Sequence, residues 1–208
     1  MNEAQVREAI CEVGRSIYER GLTHGATGNI SVRIDGGWLM TPTGSTLGRL
    51  DPARLAKLDD AGMHVSGDAP TKETFLHRAV YDERPGTGAV VHLHSTHSVA
   101  VSVLADVDPA DVLPPLTAYY VMRVGRLPLV PFYRPGDPAL GEAIRQYAAG
   151  HHALLLANHG PVVAGSSLSA AVDATEELEE TAKLHLLLQG HRTRPLTPEQ
   201  VALLRGGR

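Results

Sequence analysis

The chain has 208 residues, 43% of them hydrophobic and 20% charged, with a formal net charge of -4 and no long run of Lys or Arg. A chain of this size and composition can bury one sizeable core, so we predict a single domain over residues 1–208, and the charge excludes the basic surface of a nucleic-acid binder. One cysteine, no signal-peptide pattern and no apolar run of ~20 residues predict a cytoplasmic protein that does not span a membrane.

The first third of the chain predicts a helix, a hairpin and a second helix. An apolar stripe at helical spacing follows a cap at Asn2 and ends at Gly21. The residues of this stripe are Val6, Ile10, Val13 and Ile17. The period then changes to two in ISVRI, and DGG turns the chain into a second strand, WLMT. LGRLDPARLAKLD is predicted as a turn and a short helix, and PTKETFLHRAVYDERP as a helix opened by Thr71.

The rest of the chain mixes strands and helices without a regular βαβ repeat. A strand through AVVHLH precedes a helix through HSVAVSVLA, and a proline-punctuated stretch contains a strand in LPLV. A helix in DPALGEAIRQYAAG leads to two adjacent strands, ALLLANHG and PVVAG, then to a long helix from SLSAAV to LLLQG and a short one in TPEQVALLR. Two hairpins in this pattern predict an α/β fold with a mixed, largely antiparallel sheet covered by helices.

Three histidines at strand ends are the strongest chemical signal in the sequence. His92 and His94 are two apart, so a strand would present both imidazoles on one face. An isolated pair of this kind is more often two unrelated polar side chains, but His159 follows a second buried strand. Three imidazoles suit one divalent transition metal, most often Zn²⁺, with Mn²⁺ or Co²⁺ as alternatives, and leave coordination positions for a substrate.

The remaining histidines are weaker candidates for metal ligands. His97 is a poor one because the chain has turned into the next helix by that point. The others are read as surface or locally hydrogen-bonded residues: His24, His64, His77, His151, His152, His185 and His191.

Glycine-rich stretches at both ends of the first hairpin predict a composite phosphate pocket. GATGN and TPTG can each present backbone N–H groups and small hydroxyls to an anion, and PTKE opens a helix nearby. Either stretch alone would usually be a turn. Glu73, in the predicted first helical turn, either complements the helix dipole or, beside a metal, moves protons at a carbon next to a carbonyl.

Taken together, GNISVR, TPTG, KE, HLH and NHG occur in an order and spacing that resemble the class II aldolase/adducin family, over roughly Val6 to Gly190. The resemblance implies a three-layer α/β/α fold and a zinc-type metal on three histidines. It also implies a homotetramer with active sites between subunits.

The same resemblance assigns roles to residues that match the motifs. The implied metal ligands are His92, His94 and His159, the implied phosphate contacts are Gly28, Asn29, Thr43 and Gly44, with Thr71 and Lys72, and the implied acid/base is Glu73. In the epimerases of the family the corresponding position looks like an aspartate, so a glutamate here counts against epimerisation. A tyrosine from the neighbouring subunit is implied as a proton donor, and of Tyr119 and Tyr120 we favour Tyr120.

One departure from the aldolase pattern indicates the substrate. Aldolases of the family have two serines before the glutamate, whereas this chain has Thr71 and Lys72. PTKE, together with AYYVMRVGRLPLVPFYRPGD, is similar to a branch of 3-oxo-tetronate 4-phosphate decarboxylases, whose substrate carries phosphate at one end and carboxylate at the other. Lys72 would then help to select an anionic substrate.

Decarboxylation fits the same chemistry as aldol cleavage. A metal chelated by the 2-hydroxyl and 3-oxo oxygens of a β-keto acid would stabilise the enediolate left when CO₂ departs, and protonation would give dihydroxyacetone phosphate. The first alternative is a sugar-phosphate aldolase that cleaves a ketose 1-phosphate. The remote alternative is a non-catalytic interaction module like the adducin head, which has no need of three histidines and Glu73.

Overall fold

The computed structural model describes residues 1–134 and 136–206, and its centre is one eight-stranded sheet. The strands are β1 (Asn29–Ile34), β2 (Gly37–Met40), β3 (Ala56–Asp59), β4 (His64–Ser66), β5 (Ala89–His92), β6 (Leu129–Val130), β7 (Ala153–Leu156) and β8 (Gly160–Gly165). Their order across the sheet is β4-β3-β2-β1-β5-β8-β7-β6. Every neighbouring pair is antiparallel except β6 and β7. The predicted mixed, largely antiparallel sheet is therefore confirmed.

Both predicted hairpins are present. Strand β1 pairs with β2 across the DGG turn, and β7 pairs with β8 across the turn that contains His159. Strands β5 and β8, which are distant in sequence, pair at the centre of the sheet. The C-terminal end of β5 therefore lies beside the N-terminal end of β8.

Within the described part of the chain, seven helices cover both faces of the sheet. They are α1 (Glu3–Glu19), α2 (Thr74–Glu83), α3 (Thr96–Ser102), α4 (Ala118–Arg123), α5 (Pro138–Ala148), α6 (Leu168–Leu187) and α7 (Pro198–Gly206). The predicted cap of α1 is confirmed, because the Asn2 side chain accepts from the Gln5 N–H and the Gln5 side chain accepts from the Asn2 N–H.

Neighbouring strand residues divide between two apolar layers. Val90 packs in a cluster with α2 and α5, whereas Val91 packs with α1 on the other face. Leu154 and Leu155 divide in the same way, with Leu155 facing the cluster of α3, α4 and α6. This alternation is the period of a strand buried on both faces, and it gives the α/β/α layering that the resemblance implied.

Three parts of the secondary structure differ from the prediction. LGRLDPARLAKLD contains two 3₁₀ turns and strand β3 in place of a helix, because AKLD adds to the edge of β2. Strand β4 and helix α4 were not predicted, since β4 is three exposed residues and α4 lies among prolines. Helix α2 begins at Thr74, so Glu73 is its N-cap and not part of its first turn.

Within the described residues, no helix is both long and apolar enough to cross a bilayer.

Candidate metal centre and active site

The pairing of β5 with β8 places the three predicted histidines together. His92 is the last residue of β5, His94 follows two positions later, and His159 immediately precedes β8. A Cβ atom on Gly160 would lie 2.2 Å from the Leu93 carbonyl oxygen, so only glycine lets β8 approach this closely. The motif HG at the start of β8 is thus needed to bring His159 beside the HLH segment.

The imidazole rings form a compact triangle. Their centroids are 5.0 Å apart for His92 and His94, 4.8 Å for His92 and His159, and 4.6 Å for His94 and His159. Nε2 of His94 and Nε2 of His159 are separated by 3.0 Å. One ligand atom from each histidine and one carboxylate oxygen of Glu73 all lie within 4.8 Å of one another. This donor set of three nitrogens and an oxygen could hold a divalent metal ion.

The surroundings of His92 fit such an ion. Its Nδ1 lies 2.8 Å from the Pro161 carbonyl oxygen, which requires Nδ1 to carry the proton and leaves Nε2 with a free lone pair. Nε2 of His92 is buried and has no hydrogen-bond partner among the described residues. An orphaned, buried nitrogen aimed into a cluster of ligands is the arrangement that a metal would satisfy.

Burial keeps two imidazoles of the triangle, those of His92 and His94, in the neutral form. Burial, followed by the neighbouring His92 and His159, lowers the pKa of His94 to about 3. Burial also lowers the pKa of His92. A neutral imidazole offers a lone pair, so near neutral pH both side chains are in the form that binds a metal.

Glu73 lies against this triangle. Its carboxylate oxygens are 3.5 Å from Nε2 of His92 and 3.3 Å from Nε2 of His159, and one accepts a 2.8 Å hydrogen bond from Nδ2 of Asn29. Burial by itself would raise the pKa of Glu73, but its contacts with His159, His92 and Asn29 hold it well below its usual value. As the N-cap of α2, Glu73 makes no side-chain capping bond, so its carboxylate is turned to the histidines.

The predicted phosphate-binding stretches converge beside Glu73. The Thr41 N–H donates to the Ile30 carbonyl oxygen at 3.0 Å. The Thr41 carbonyl oxygen in turn accepts from the Thr71 N–H at 3.3 Å. The Thr43 N–H donates to the Ala69 carbonyl oxygen at 2.9 Å, so TPTG runs beside PTKE. Gly28, the predicted contact from GATGN, adopts φ of 80°, a left-handed conformation that favours glycine. The three stretches therefore border one region, as the composite pocket requires.

Lys72 and Gly44 are both exposed at this border. The Lys72 ammonium makes no hydrogen bond or ion pair with any residue in 1–134 or 136–206. A cation next to the carboxylate-bearing Glu73 without a protein counter-ion is free to meet an anionic ligand.

The two tyrosines of α4, Tyr119 and Tyr120, differ in exposure. Tyr120, which we favoured as a proton donor, is 1% exposed, packs in the core with α6, and has a hydroxyl without a partner among the described residues. Burial raises its pKa far above the usual value. Tyr119 is 60% exposed, and the Arg123 guanidinium lies 5.6 Å from the centre of its ring. Of the pair, only Tyr119 presents its ring to a neighbouring molecule.

His97 lies outside the metal cluster, as its place in the next helix indicated. Its Nδ1 is 2.8 Å from Oε1 of Glu179, a buried carboxylate that also accepts from the Ser98 N–H and hydroxyl. The His97 side chain therefore takes part in the contact between α3 and α6 and not in the metal cluster.

Sequence reasoning missed four residues around the centre. His77, read only as surface or locally hydrogen-bonded, is fully buried. Phe132, Tyr133 and Asn158 line an open cleft of about 620 Å³ that also contains Glu73, His94 and His159. The sequence contains a signal for Phe132 and Tyr133, because two adjacent aromatic residues are unusual in a chain with only 4% aromatic residues.

Comparisons with known proteins show the family of the chain. Residues 8–186 match the family described as the Class II Aldolase and Adducin N-terminal domain. A 3-oxo-tetronate 4-phosphate decarboxylase of Cupriavidus necator is 53% identical over 187 residues, which cover 90% of this chain and 86% of the relative. An L-fuculose phosphate aldolase of Haemophilus influenzae is 31% identical over 211 residues, covering 99% and 94%. The crystal structure of YgbL from Escherichia coli superimposes with a TM-score of 0.96 at 48% identity, covering 98% of this chain and 99% of that one.

Proposed function

The chain belongs to the class II aldolase and adducin family, and we propose that it is a metal-dependent carboxy-lyase of sugar-acid catabolism. The reaction would convert a 3-oxo-tetronate 4-phosphate to dihydroxyacetone phosphate and CO₂. The observation that carries this proposal is Lys72, an exposed cation that follows Thr71 and precedes Glu73 and has no counter-ion among the described residues. The relative that is 53% identical carries the name of the same activity.

His92, His94 and His159 would hold one divalent ion, for which Zn²⁺ is the first choice and Mn²⁺ or Co²⁺ the alternatives. When bound, the ion would supply Lewis-acid stabilisation of negative charge on substrate oxygens. The donor set supports this assignment because His92 already has its Nδ1 proton committed to the Pro161 carbonyl oxygen.

In the proposed reaction the C1–C2 bond of the substrate breaks and its electron pair remains on C2 as CO₂ leaves. One proton is added at C2, and the net reaction takes that proton from solvent. Glu73 is ionised before substrate binds, because its pKa lies below the usual range. It can therefore accept the proton of the substrate 2-hydroxyl and deliver it to C2 after CO₂ has left, and the proton taken from solvent then restores the hydroxyl.

The phosphate group would lie between the converging stretches, at Gly28, Asn29, Thr43, Gly44 and Thr71. This assignment is supported by the backbone bonds that join Thr41 to Ile30 and to Thr71. Lys72 would attract the doubly anionic substrate as a mobile point charge. A mobile lysine suits this task, since a rigidly bound carboxylate would resist leaving as CO₂.

The assembly proposed is a cytoplasmic homotetramer with active sites between subunits. Tyr119 would extend from one subunit into the site of its neighbour and donate a proton there. Its 60% exposure supports this role, and the burial of Tyr120 disfavours the other candidate.

The second candidate function is aldol cleavage of a ketose 1-phosphate. Glu73 and the three histidines would serve it equally well, and the L-fuculose phosphate aldolase with 31% identity is a relative of that kind. Lys72 in place of a serine favours decarboxylation, because the aldolase substrate lacks the second anionic group. An adducin-like interaction module is disfavoured, since it would gain nothing from a buried His92 Nε2 that has no hydrogen-bond partner among residues 1–134 and 136–206.

The test is to purify the protein, load it with Zn²⁺ and supply 3-oxo-tetronate 4-phosphates of both configurations. We expect CO₂ and dihydroxyacetone phosphate in equal amounts, and no turnover of L-fuculose 1-phosphate. An aldehyde from the ketose 1-phosphate without CO₂ from the keto acids would establish the aldolase instead. The Glu73→Gln variant, loaded in the same way, controls for spontaneous loss of CO₂ from the β-keto acid.

A further inference from the structure

A buried chain of hydrogen bonds runs from the core to the Glu73 carboxylate. Tyr81 Oη lies 2.9 Å from Ser31 Oγ, which lies 2.7 Å from Nδ1 of His77. Nε2 of His77 contacts Oδ1 of Asn29, and Nδ2 of Asn29 is 2.8 Å from Oε2 of Glu73. Apart from Glu73, each of these residues is at most 6% exposed.

The periods of a helix and a strand bring these five residues together. Glu73, His77 and Tyr81 are spaced by four, so they follow one face of α2 and its N-cap. Asn29 and Ser31 are spaced by two, so they share the face of β1 that α2 covers. The row of helix residues therefore lies along the row of strand residues, and the hydrogen bonds alternate between α2 and β1.

The orientation of the Asn29 amide sets the direction of these hydrogen bonds. Its Nδ2 donates to Oε2 of Glu73, and its Oδ1 lies against Nε2 of His77. An amide oxygen only accepts, so Nε2 of His77 must carry a proton. Burial lowers the pKa of His77 to about 3, so the ring is neutral and Nδ1 must accept from the Ser31 hydroxyl. The Tyr81 hydroxyl then donates to Ser31 Oγ.

We infer that His77 is a positioning residue: its Nε2–H holds the Asn29 amide in the one orientation that donates to Glu73 and aims the carboxylate at the histidine triangle. If His77 carried its proton on Nδ1, the two acceptors Nε2 and Oδ1 would face each other. The Asn29 amide would then be driven to turn its oxygen towards the Glu73 carboxylate, and the two oxygens would repel. This inference rests on the proposed role of Glu73 as the acid/base.

Two substitutions of His77 distinguish a role in positioning Asn29 from a role in packing alone. In His77→Gln the amide nitrogen can occupy the place of Nε2 and still donate to Asn29, whereas in His77→Asn the shorter side chain can reach Ser31 but not Asn29. Both replace a buried ring by an amide, so both lower the melting temperature. His185→Gln, on α6 away from the chain of hydrogen bonds, is the matched control.

For the Zn²⁺-loaded enzyme we expect His77→Gln to keep kcat within about threefold of the wild type and His77→Asn to lose about tenfold or more, each with little change in KM. Equal losses of kcat in the two variants would overturn the inference. Bound zinc and melting temperature are measured alongside, so that a loss of fold is distinguished from a loss of positioning.

A readout independent of activity is the tautomer of His77 in the metal-free protein. With ¹⁵N-labelled histidine, we expect the ring nitrogens of His77 to report a proton on Nε2, with the signals assigned by their loss in His77→Gln. A proton on Nδ1 would overturn the inference. A wild-type protein that releases no CO₂ but shows the Nε2 proton would contradict the proposed function and leave the hydrogen-bond directions intact.

Discussion

Nε2 of His94 and Nε2 of His159 face each other at 3.0 Å although one histidine follows β5 and the other precedes β8. Between two neutral imidazoles, such a contact needs one of the two nitrogens to carry its proton. A divalent ion would replace that shared proton by accepting both lone pairs. The pair of nitrogens is therefore the part of the centre that should respond most to metal.

Replacing His94 or His159 by alanine is expected to remove bound metal, because each substitution deletes one of three nitrogen ligands. The matched control is His97→Ala. His97 is close to His94 in the sequence, but its imidazole bonds to Glu179 and lies outside the metal cluster. Metal content after purification and dialysis, measured by mass spectrometry, should be near zero for the first two variants and unchanged for the third. Loss of metal from His97→Ala alone would contradict the assignment.

Replacing Glu73 by glutamine is expected to leave metal bound by the three histidines and to lower kcat by about 10²–10⁴-fold, the usual contribution of a general acid/base. The substitution keeps the shape of the side chain and an acceptor for Asn29 Nδ2 but cannot take up a proton. Steady-state rates of CO₂ release at saturating substrate provide the measurement. A variant with wild-type kcat would remove Glu73 from the chemistry.

The sequence predicts the parts of this centre that local periodicity controls. Both hairpins and the shared face of His92 and His94 follow from alternation, and the order of motifs adds His159. The burial of Tyr120 could not be read locally, because it depends on α6 packing over α4 from a distant part of the chain. The role of His77 was hidden for a related reason: the four-residue spacing on α2 acquires meaning only when β1 is known to lie beneath it.

Replacing Lys72 by serine is expected to raise KM for the anionic keto acid by about tenfold or more, because the variant lacks a cation near the substrate. The effect should weaken as ionic strength rises, since an exposed charge is screened by salt. Lys183→Ser, which replaces a partly exposed lysine of α6 that pairs with Glu180, controls for the change in net charge. KM values at low and high salt check this prediction, and a Lys72→Ser variant with unchanged KM and substrate preference would contradict it.

Replacing Tyr119 and Tyr120 by phenylalanine should give opposite results. The Tyr119 hydroxyl is proposed to donate a proton in a neighbouring subunit, so Tyr119→Phe should lower kcat by about 10²-fold without changing the melting temperature. The Tyr120 hydroxyl is buried without a partner among the described residues, so Tyr120→Phe should leave kcat unchanged and keep or raise stability. Kinetics and thermal unfolding of both variants are the measurement. A loss of kcat in Tyr120→Phe alone would restore Tyr120 as the donor.

Acid should destabilise the metal-free protein through His77 before the carboxylates begin to protonate. In the unfolded chain this histidine protonates near its ordinary pKa of 6.5, whereas burial lowers its pKa in the folded protein to about 3. Between those values the unfolded state binds more protons, so the free energy of unfolding falls as pH is lowered through 6.5. The slope from His77 is at most ~1.4 kcal/mol per pH unit, and His92 and His94, whose pKa values are also lowered, add to it in the same direction.

Glu73 contributes only below its ordinary pKa of 4.5, so denaturant unfolding between about pH 5 and pH 6.5, in the presence of a chelator, isolates the histidines. His77→Gln cannot titrate in this range and should show a shallower dependence of unfolding free energy on pH than the wild type, whatever its absolute stability. His185→Gln provides the comparison with a histidine that is only partly buried. Identical slopes for the wild type and His77→Gln would mean that His77 is already protonated in the folded protein, and the hydrogen-bond directions assigned from Glu73 to Tyr81 would be wrong.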